Sequence, residues 1–544
     1  MKSLVAVIAL TATFAQAADF PVAEKTGAAI QAAIDAAAAA GGGRVVVPAG
    51  VYPTGSLTLR SHVEVHLEKG AVVQGSAKYD DWGAFPESAM PKMYRALLHA
   101  YDAEDIALTG EGAFDGNGMA FFKTDERIFG RFYKGVAARP KILIMVRCRN
   151  VRFEGVSFLN PPSWTLHIID SEHLLFRRAK LWNDLMCINC DGLDLDGCRH
   201  VRVEDCDFHT GDDALVVRAI LWPGGSPRAV LEDIVVENCR FESACQCIRI
   251  GCSSDDTIRD VHFRNVTFRG FNGVNFDYPE NYLHATDEGF LDAHDITFEN
   301  VTGELDGRPI RVKAAPGVKL RGLRDVLFRN VTLTGKSPSV FESNWYSPME
   351  RFRFENVTLD GVRQPDGEVD VVQRNRNPLR RTKPGEYNYK PPADYVPQVY
   401  REVAEPTLAA VRSAIDAVVT NATGGVVVVP EGTYAGGGLS LPSRVELRLR
   451  KGAVLRMDGA LAAEKAERVA LTGPGVLEMA QPARFAGCRG VRLDGVTLKA
   501  PGKVSLVLRD CTDVAVDGVT ARTEMRNCRE VRGVAETGKI QCDR

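Results

Sequence analysis

The sequence predicts an all-β chain, a right-handed parallel β-helix with an N-terminal capping helix, followed by a second, shorter β-helix. Three observations carry this reading. A strand-like phrase recurs between residues 149 and 361, an alanine-rich helical segment precedes it, and the opening of the chain is repeated from residue 410 onward.

The recurring phrase reads RNVRFEGVSFLN (149–160), EHLLFRRAKLWN (172–183), RHVRVEDCDFHT (199–210), EDIVVENCRFES (232–243), RDVHFRNVTFRG (259–270), HDITFENVTGEL (294–305), RDVLFRNVTLTG (324–335) and ERFRFENVTLDG (350–361), with starts 23 to 35 residues apart. Each unit alternates apolar and polar residues with period two and is rich in Val, Ile, Phe and Thr, which is strand chemistry. A unit this short cannot bury its apolar face alone, so neighbours must stack, each coil hydrogen-bonding to the next around a common interior. A β-propeller would need tight hairpins, and Asn-Gly or Asp-Gly turn signals are scarce between the units.

Residues 27–40, GAAIQAAIDAAAAA, read as an amphipathic helix that ends at the run Gly41 to Gly43 and covers the open end of the coil. The pattern AIQAAID, VVVPAGVY, SLTLRSHVEVHLEKGAV (29–72) returns as AVRSAID, VVVVPEGTY, LSLPSRVELRLRKGAV (410–454), and DIALTGEG (105–112) returns as RVALTGPG (468–475). The expected organisation is therefore a leader over 1–17, a first β-helix over 18–372, a linker over 373–405 rich in Pro, Arg, Lys and Tyr, and a second β-helix over 406–544.

Lys2, the apolar run Leu4 to Ala12 and the small-residue site Ala15-Gln16-Ala17 have the layout of a secretory signal. No later stretch is long and apolar enough for a membrane-spanning helix, so the expected location is secreted or periplasmic, with neither a membrane nor a nucleic acid as partner. The net charge of −3 argues against a general polyanion-binding scaffold and leaves room for a local basic groove. Of 13 cysteines, eight fall between Cys187 and Cys252. They are expected as stacked, buried thiols within the coils, because Cys187-x-x-Cys190 with Cys245-x-Cys247 fits no common zinc spacing. No metal or other cofactor is expected, and the chain is expected to act as a monomer.

The chemistry concentrates in Asn189-Cys190-Asp191-Gly192 and, 21 residues after Asp191, Gly211-Asp212-Asp213. A separation near one coil length puts these carboxylates on neighbouring rungs about 4.8 Å apart. Carboxylates so close repel, and one of them should keep its proton to higher pH, as a general acid requires. Asp212 and Asp213, being consecutive, would face opposite ways in a regular strand, and Gly211 offers the backbone freedom to turn both outward.

With these motifs the first β-helix resembles glycoside hydrolase family 28, the polygalacturonase family of the pectin-lyase-like superfamily, over roughly residues 20 to 370. Asn189, Asp191, Gly211, Asp212 and Asp213 match its Asn-x-Asp and Gly-Asp-Asp pair, Asn160-Pro161-Pro162-Ser163-Trp164-Thr165-Leu166-His167 is similar to its Asn-Ser-Pro-x-Trp-x-x-His stretch, and the opening with EKGAV is similar too. The resemblance implies an inverting glycosidase acting on a pectic or related saccharide. Asp212 would be the general acid, and Asp191 and Asp213 would hold and activate the attacking water.

Two positions depart from that pattern. Gln246, in Cys245-Gln246-Cys247-Ile248-Arg249-Ile250-Gly251, stands where the family has a histidine, and Asn275-Phe276-Asp277 stands where it has Arg-Ile-Lys to bind a sugar carboxylate. Arg249, beside the cleft, and Arg311-Val312-Lys313, one coil later, are the cations that could compensate. Trp164, His167, Trp222 and the run Tyr278 to Tyr282 are candidate sugar contacts. The second β-helix carries single aspartates, Asp494, Asp510, Asp513 and Asp517, without a Gly-Asp-Asp, and reads as non-catalytic. Two other functions share this architecture: a calcium-dependent polysaccharide lyase, and a carbohydrate-binding β-helix without catalysis.

Overall fold

The computed structural model describes residues 18–83, 95–220, 229–251, 254, 256–279, 290–315, 318, 320–344, 347–373, 399–420 and 424–532. The expected leader 1–17, Trp222 and residues 280–289 lie outside these, as does 374–398 within the expected linker. The chain divides into two compact units, residues 1–392 and 393–544.

The first unit is a parallel β-helix built on the predicted repeats. Each phrase supplies two strands, and a third strand per coil forms a separate ladder. In that third ladder Leu143, Leu166, Leu193, Leu215, Ile248, Val274 and Ile310 lie in register on successive coils. All seven belong to the buried core. Their successors Ile144, His167, Asp194, Val216, Arg249, Asn275 and Arg311 form the adjacent row. Alternation along a strand turns this row away from the core, so it forms the floor of the outer face. Parallel neighbours joined by full crossovers give the coil its right hand.

The first ladder explains why the phrases are rich in phenylalanine. Parallel in-register pairing stacks like residues, and rings of Phe263 and Phe298 lie 4.7 Å apart and those of Phe298 and Phe328 5.0 Å apart, nearly coplanar in orientation. The recurrent asparagine sits at the turn between the first two strands of a coil. Asn238, Asn265, Asn300, Asn330 and Asn356 all have φ between 53° and 57°, the left-handed region that Asn tolerates better than other side-chain-bearing residues. From Asn265 onward the Nδ2 of each donates to Oδ1 of its predecessor at 2.9 to 3.2 Å. The asparagines therefore ladder at the turns, on the outer surface.

The predicted cap is an α-helix, Gly27–Ala39, whose N-cap Thr26 accepts from Ala29 N–H and whose Ile30, Ile34 and Ala37 are buried. In the second unit Leu408–Val419 repeats this arrangement with Thr407 as N-cap. Behind it run three parallel sheets of seven, four and five strands. Val399–Glu402, within the stretch expected as linker, is a strand paired with Gly425–Val429. A β-hairpin, Phe122–Ile128 and Phe132–Gly135, is an element the sequence pattern did not announce.

Phe298 is held between two parallel rings in the core, so Phe298→Ala should lower unfolding free energy by about 3–5 kcal/mol. The check is the urea midpoint of the first unit's transition in the full chain. A loss below about 1 kcal/mol would contradict the stacked-core account.

Candidate active site

The floor register fixes where the aspartates meet. Leu193 pairs with Leu215, and Gly192 N–H donates to Asp213 O at 2.9 Å, so Asp191 stands beside Asp213, with Asp212 one position earlier on the same coil. Gly211 does not take a left-handed φ. Its role is close approach, since a Cβ there would lie 2.1 Å from Cys187 O. The left-handed residue is Asn189, at φ 55°. That turn aims its backbone N–H at Asp212 Oδ2, 3.0 Å away.

The three carboxyls sit in different surroundings. Asp212 also accepts from Asp213 N–H through Oδ1 at 3.0 Å. Burial first, and then the charge of Asp213, push Asp212 up to about 6. Asp191 is buried and its Oδ1 has no hydrogen-bond partner. Its pKa is driven well above the ordinary carboxylate range by burial, then by Asp194, Asp212 and Asp213, against the pull of Arg218. Asp213 is buried too and forms an ion pair with Arg249.

Beyond the aspartates, Gln246 occupies the next coil. Its Nε2 donates to Cys245 Sγ at 3.3 Å, while its Oε1 is buried without a partner. Asn275 pairs in register with Arg249 one coil further on and is buried, and Arg311 and Lys313 pair in register with Asn275 and Asp277 another coil along. The Arg-x-Lys phrase thus lies one coil beyond Asn275-Phe276-Asp277. Arg311 Nη2 is 2.8 Å from Asp277 Oδ2, so its charge is already answered within the floor. Asp212, Asp213 and Cys245 each bring a ligand atom within 4.8 Å of the others, a grouping that could hold a cation. Arg249 already occupies Asp213. Burial raises the Cys245 thiol well up, which makes it a poor ligand.

On the opposite side of the aspartates lies a buried ionic network that the sequence did not reveal. Lys141 Nζ is 2.8 Å from His167 Nδ1, and His167 Nε2 is 2.7 Å from Asp196 Oδ2. Arg218 reaches Asp196 Oδ1 at 2.9 Å and Asp194 Oδ1 at 3.1 Å. Burial, then Lys141, lowers His167 to about 3, so the ring is neutral, accepts from Lys141 at Nδ1 and donates to Asp196 from Nε2. Burial lowers Lys141 to about 7 and raises Asp194 to about 7. Burial also pushes Asp196 upward, but Arg218 and His167 outweigh it and hold it low. Trp164 carries Lys141 Nζ 3.6 Å and Arg218 Cζ 4.6 Å from its ring centroid. His167 has no exposed surface. It is placed to support the floor, while half-buried Trp164 is the one of the two with surface to offer a sugar. Asp194 and Asp196 fall in an alternating strand, LDLD, that reads as ordinary half-exposed sheet, and Lys141 opens an apolar run. Neither pattern signals a site.

The hairpin is tied to this region. Tyr133 N–H donates to Met186 O at 2.8 Å. Arg139 Nη2 donates to Asn189 Oδ1 at 2.7 Å and its Nη1 to Ile188 O at 2.7 Å, so Arg139 holds the turn that presents N–H to Asp212.

Residues 40–221 match the family model Glycosyl hydrolases family 28, which spans every coil from the first strands after the cap to the Asp212–Asp213 coil. Through this stretch the first unit is similar to glycosyl hydrolase family 28. The chain is 28% identical over 190 residues to a probable polygalacturonase of Vitis vinifera, covering 33% of this chain and 37% of that protein. It is 23% identical over 421 residues to an exo-poly-alpha-D-galacturonosidase of Dickeya chrysanthemi, covering 61% and 64%. The solved family 28 exopolygalacturonase of Yersinia enterocolitica superposes with a TM-score of 0.49 at 20% identity, covering 65% and 77%. The matches span between 37% and 60% of the length of the first three curated relatives.

Because Asp212's folded pKa exceeds its unfolded value, folding binds a proton more tightly, and stability falls as pH rises from about 4 to about 6. Above pH 6 the ionised side chain costs on the order of 2 kcal/mol. Asp212→Asn should therefore melt at a higher temperature than the unmodified protein at pH 7 and at the same temperature near pH 4. A variant less stable at pH 7 would contradict the assigned environment.

Proposed function

We propose that the first unit hydrolyses a glycosidic bond in a pectic polysaccharide or oligosaccharide with inversion of the anomeric centre. In this reading Asp212 protonates the leaving oxygen, Asp213 is the base that activates the water attacking from the other face, and Asp191, whose own pKa is raised, helps to hold that water. The observation that carries it is the position of Asp212. It is the carboxyl on this coil that burial and a neighbouring aspartate hold protonated to about pH 6, and it is oriented by Asn189 N–H. Arg249 forms an ion pair with Asp213 and so holds that side chain in place. The mostly buried floor lowers the local dielectric, which strengthens each of these interactions.

Gln246 cannot titrate, so proton traffic falls to the carboxyls. Asn189 and Asn275 offer hydrogen bonds to sugar hydroxyls, and Trp164 offers a ring edge. Export from the cytoplasm, supported by the leader-like residues 1–17, fits a polymeric substrate.

Activity on pectic backbones and side-chain oligosaccharides, followed as new reducing ends, should fall at least about 10³-fold in Asp212→Asn, since this variant removes the proton that the leaving group needs. Proton NMR of the first product should show the inverted anomer. Equal rates in the two proteins, or unsaturated ultraviolet-absorbing ends that vanish with chelator, would reject the hydrolytic assignment.

A further inference from the structure

The hairpin over residues 122–135 has features that its fold does not require. Its turn is Phe129-Gly130, with φ 52° and 68°, and Arg131 N–H donates to Ile128 O at 3.1 Å. The ladder pairs Ile128 with Phe132, leaving residues 129–131 as the loop, and left-handed positions in such a loop are ones that Asn or Gly fills without strain. A bulky aromatic there is a conformational outlier. Phe129 is 85% exposed, the most exposed large apolar side chain among the described residues. Stability would favour neither its type nor its exposure.

The hairpin is anchored at both ends of one wall of the cleft. Tyr133 bridges Cys187, in the turn before Asp191, and Phe122 packs on Cys187 and Cys190. At the tip, Arg131 lies over Phe271, 4.9 Å from its centroid, and over Phe132 at 4.8 Å. Phe271 directly follows Gly270, which pairs with Ser243, which in turn pairs with Thr210 beside Gly211. Two coil spacings, about 10 Å, therefore separate Phe271 from the catalytic coil along the axis. The hairpin therefore runs from the catalytic coil, where Tyr133 bridges Cys187, toward the coil of Asn275 and Asp277, where Arg131 meets Phe271. Among the described residues no carboxylate lies within ion-pair distance of Arg131, although its charge reaches Asp306, which pairs with Lys336; Lys123 and Lys134 both pair with Glu126.

We infer that the tip of this hairpin is a saccharide subsite: Arg131, held between Phe132 and Phe271, binds the carboxylate of a uronic acid residue in the bound chain, and Phe129 stacks on a sugar face. The inference rests on the reading of the cleft as a pectic saccharide site, and what it adds is the hairpin residues that would hold the acid. Recognition of acid has moved from the floor, where Asp277 answers Arg311, to the wall.

The test measures binding of oligogalacturonate and of its methyl ester to full-length protein carrying Asp212→Asn, by titration calorimetry, alone and combined with Arg131→Ala, Phe129→Ala or Phe129→Asn. Arg131→Ala should weaken the acidic oligomer about tenfold and the ester less than twofold. Phe129→Ala should weaken both alike. Phe129→Asn, which suits the turn, should raise the melting temperature while losing the same affinity. An equal effect of Arg131→Ala on both ligands, no effect on either, or no binding of the acidic oligomer overturns the inference. Binding with the expected charge dependence by a protein that, with Asp212 intact, hydrolyses neither ligand overturns the hydrolytic reading and leaves the subsite standing. Hydrolysis with an unchanged KM in Arg131→Ala does the reverse.

Discussion

Parallel coils stacked at about 4.8 Å force chemically similar residues into contact from one turn to the next. Where the residues are phenylalanines or asparagines, the contact is favourable, and the Phe263–Phe298–Phe328 stack and the ladder from Asn238 to Asn356 are the result. Where they are carboxylates, the same spacing is costly. Asp191, Asp194, Asp212 and Asp213 are crowded by a scaffold that the rest of the molecule makes too rigid to relax, and burial prevents water from screening them. The proton held on Asp212 is the consequence of that geometry, and the proposed chemistry follows from the proton.

Such crowding needs support. Arg218 and Arg249 each contribute a guanidinium to one side of the cluster, and Lys141, His167 and Asp196 extend the network beneath Trp164. Arg139 fixes Asn189, whose N–H in turn fixes Asp212. Arg218, Arg249 and Arg311 on the floor are thus each paired with an aspartate, and the wall offers an acidic substrate a further counter-charge.

The repeats, the cap and the second β-helix were legible because period-two alternation and an alanine-rich amphipathic segment are local signals. The aspartate trio was legible because its two motifs lie about one coil apart. What escaped was set by context. Gly211 is required by the carbonyl of Cys187, a contact no local pattern encodes, and the true register is 22 residues, one more than the spacing of Asp191 and Asp212 suggests. Lys141, Asp194, Asp196 and Arg218 read as solvated strand charges because each becomes a buried network only when four coils are stacked. The hairpin was hidden by Phe129, an aromatic where turn chemistry calls for Asn.

The most direct measurement is a carbon-13 NMR titration of the aspartate carboxyls in the unmodified protein, with assignments from single Asp→Asn substitutions. The account predicts that the Asp212 carboxyl titrates near pH 6, that Asp191 titrates above the ordinary carboxylate range, and that the Asp212 midpoint falls when Asp213 is replaced by Asn. Three carboxyls titrating independently near pH 4 would contradict it.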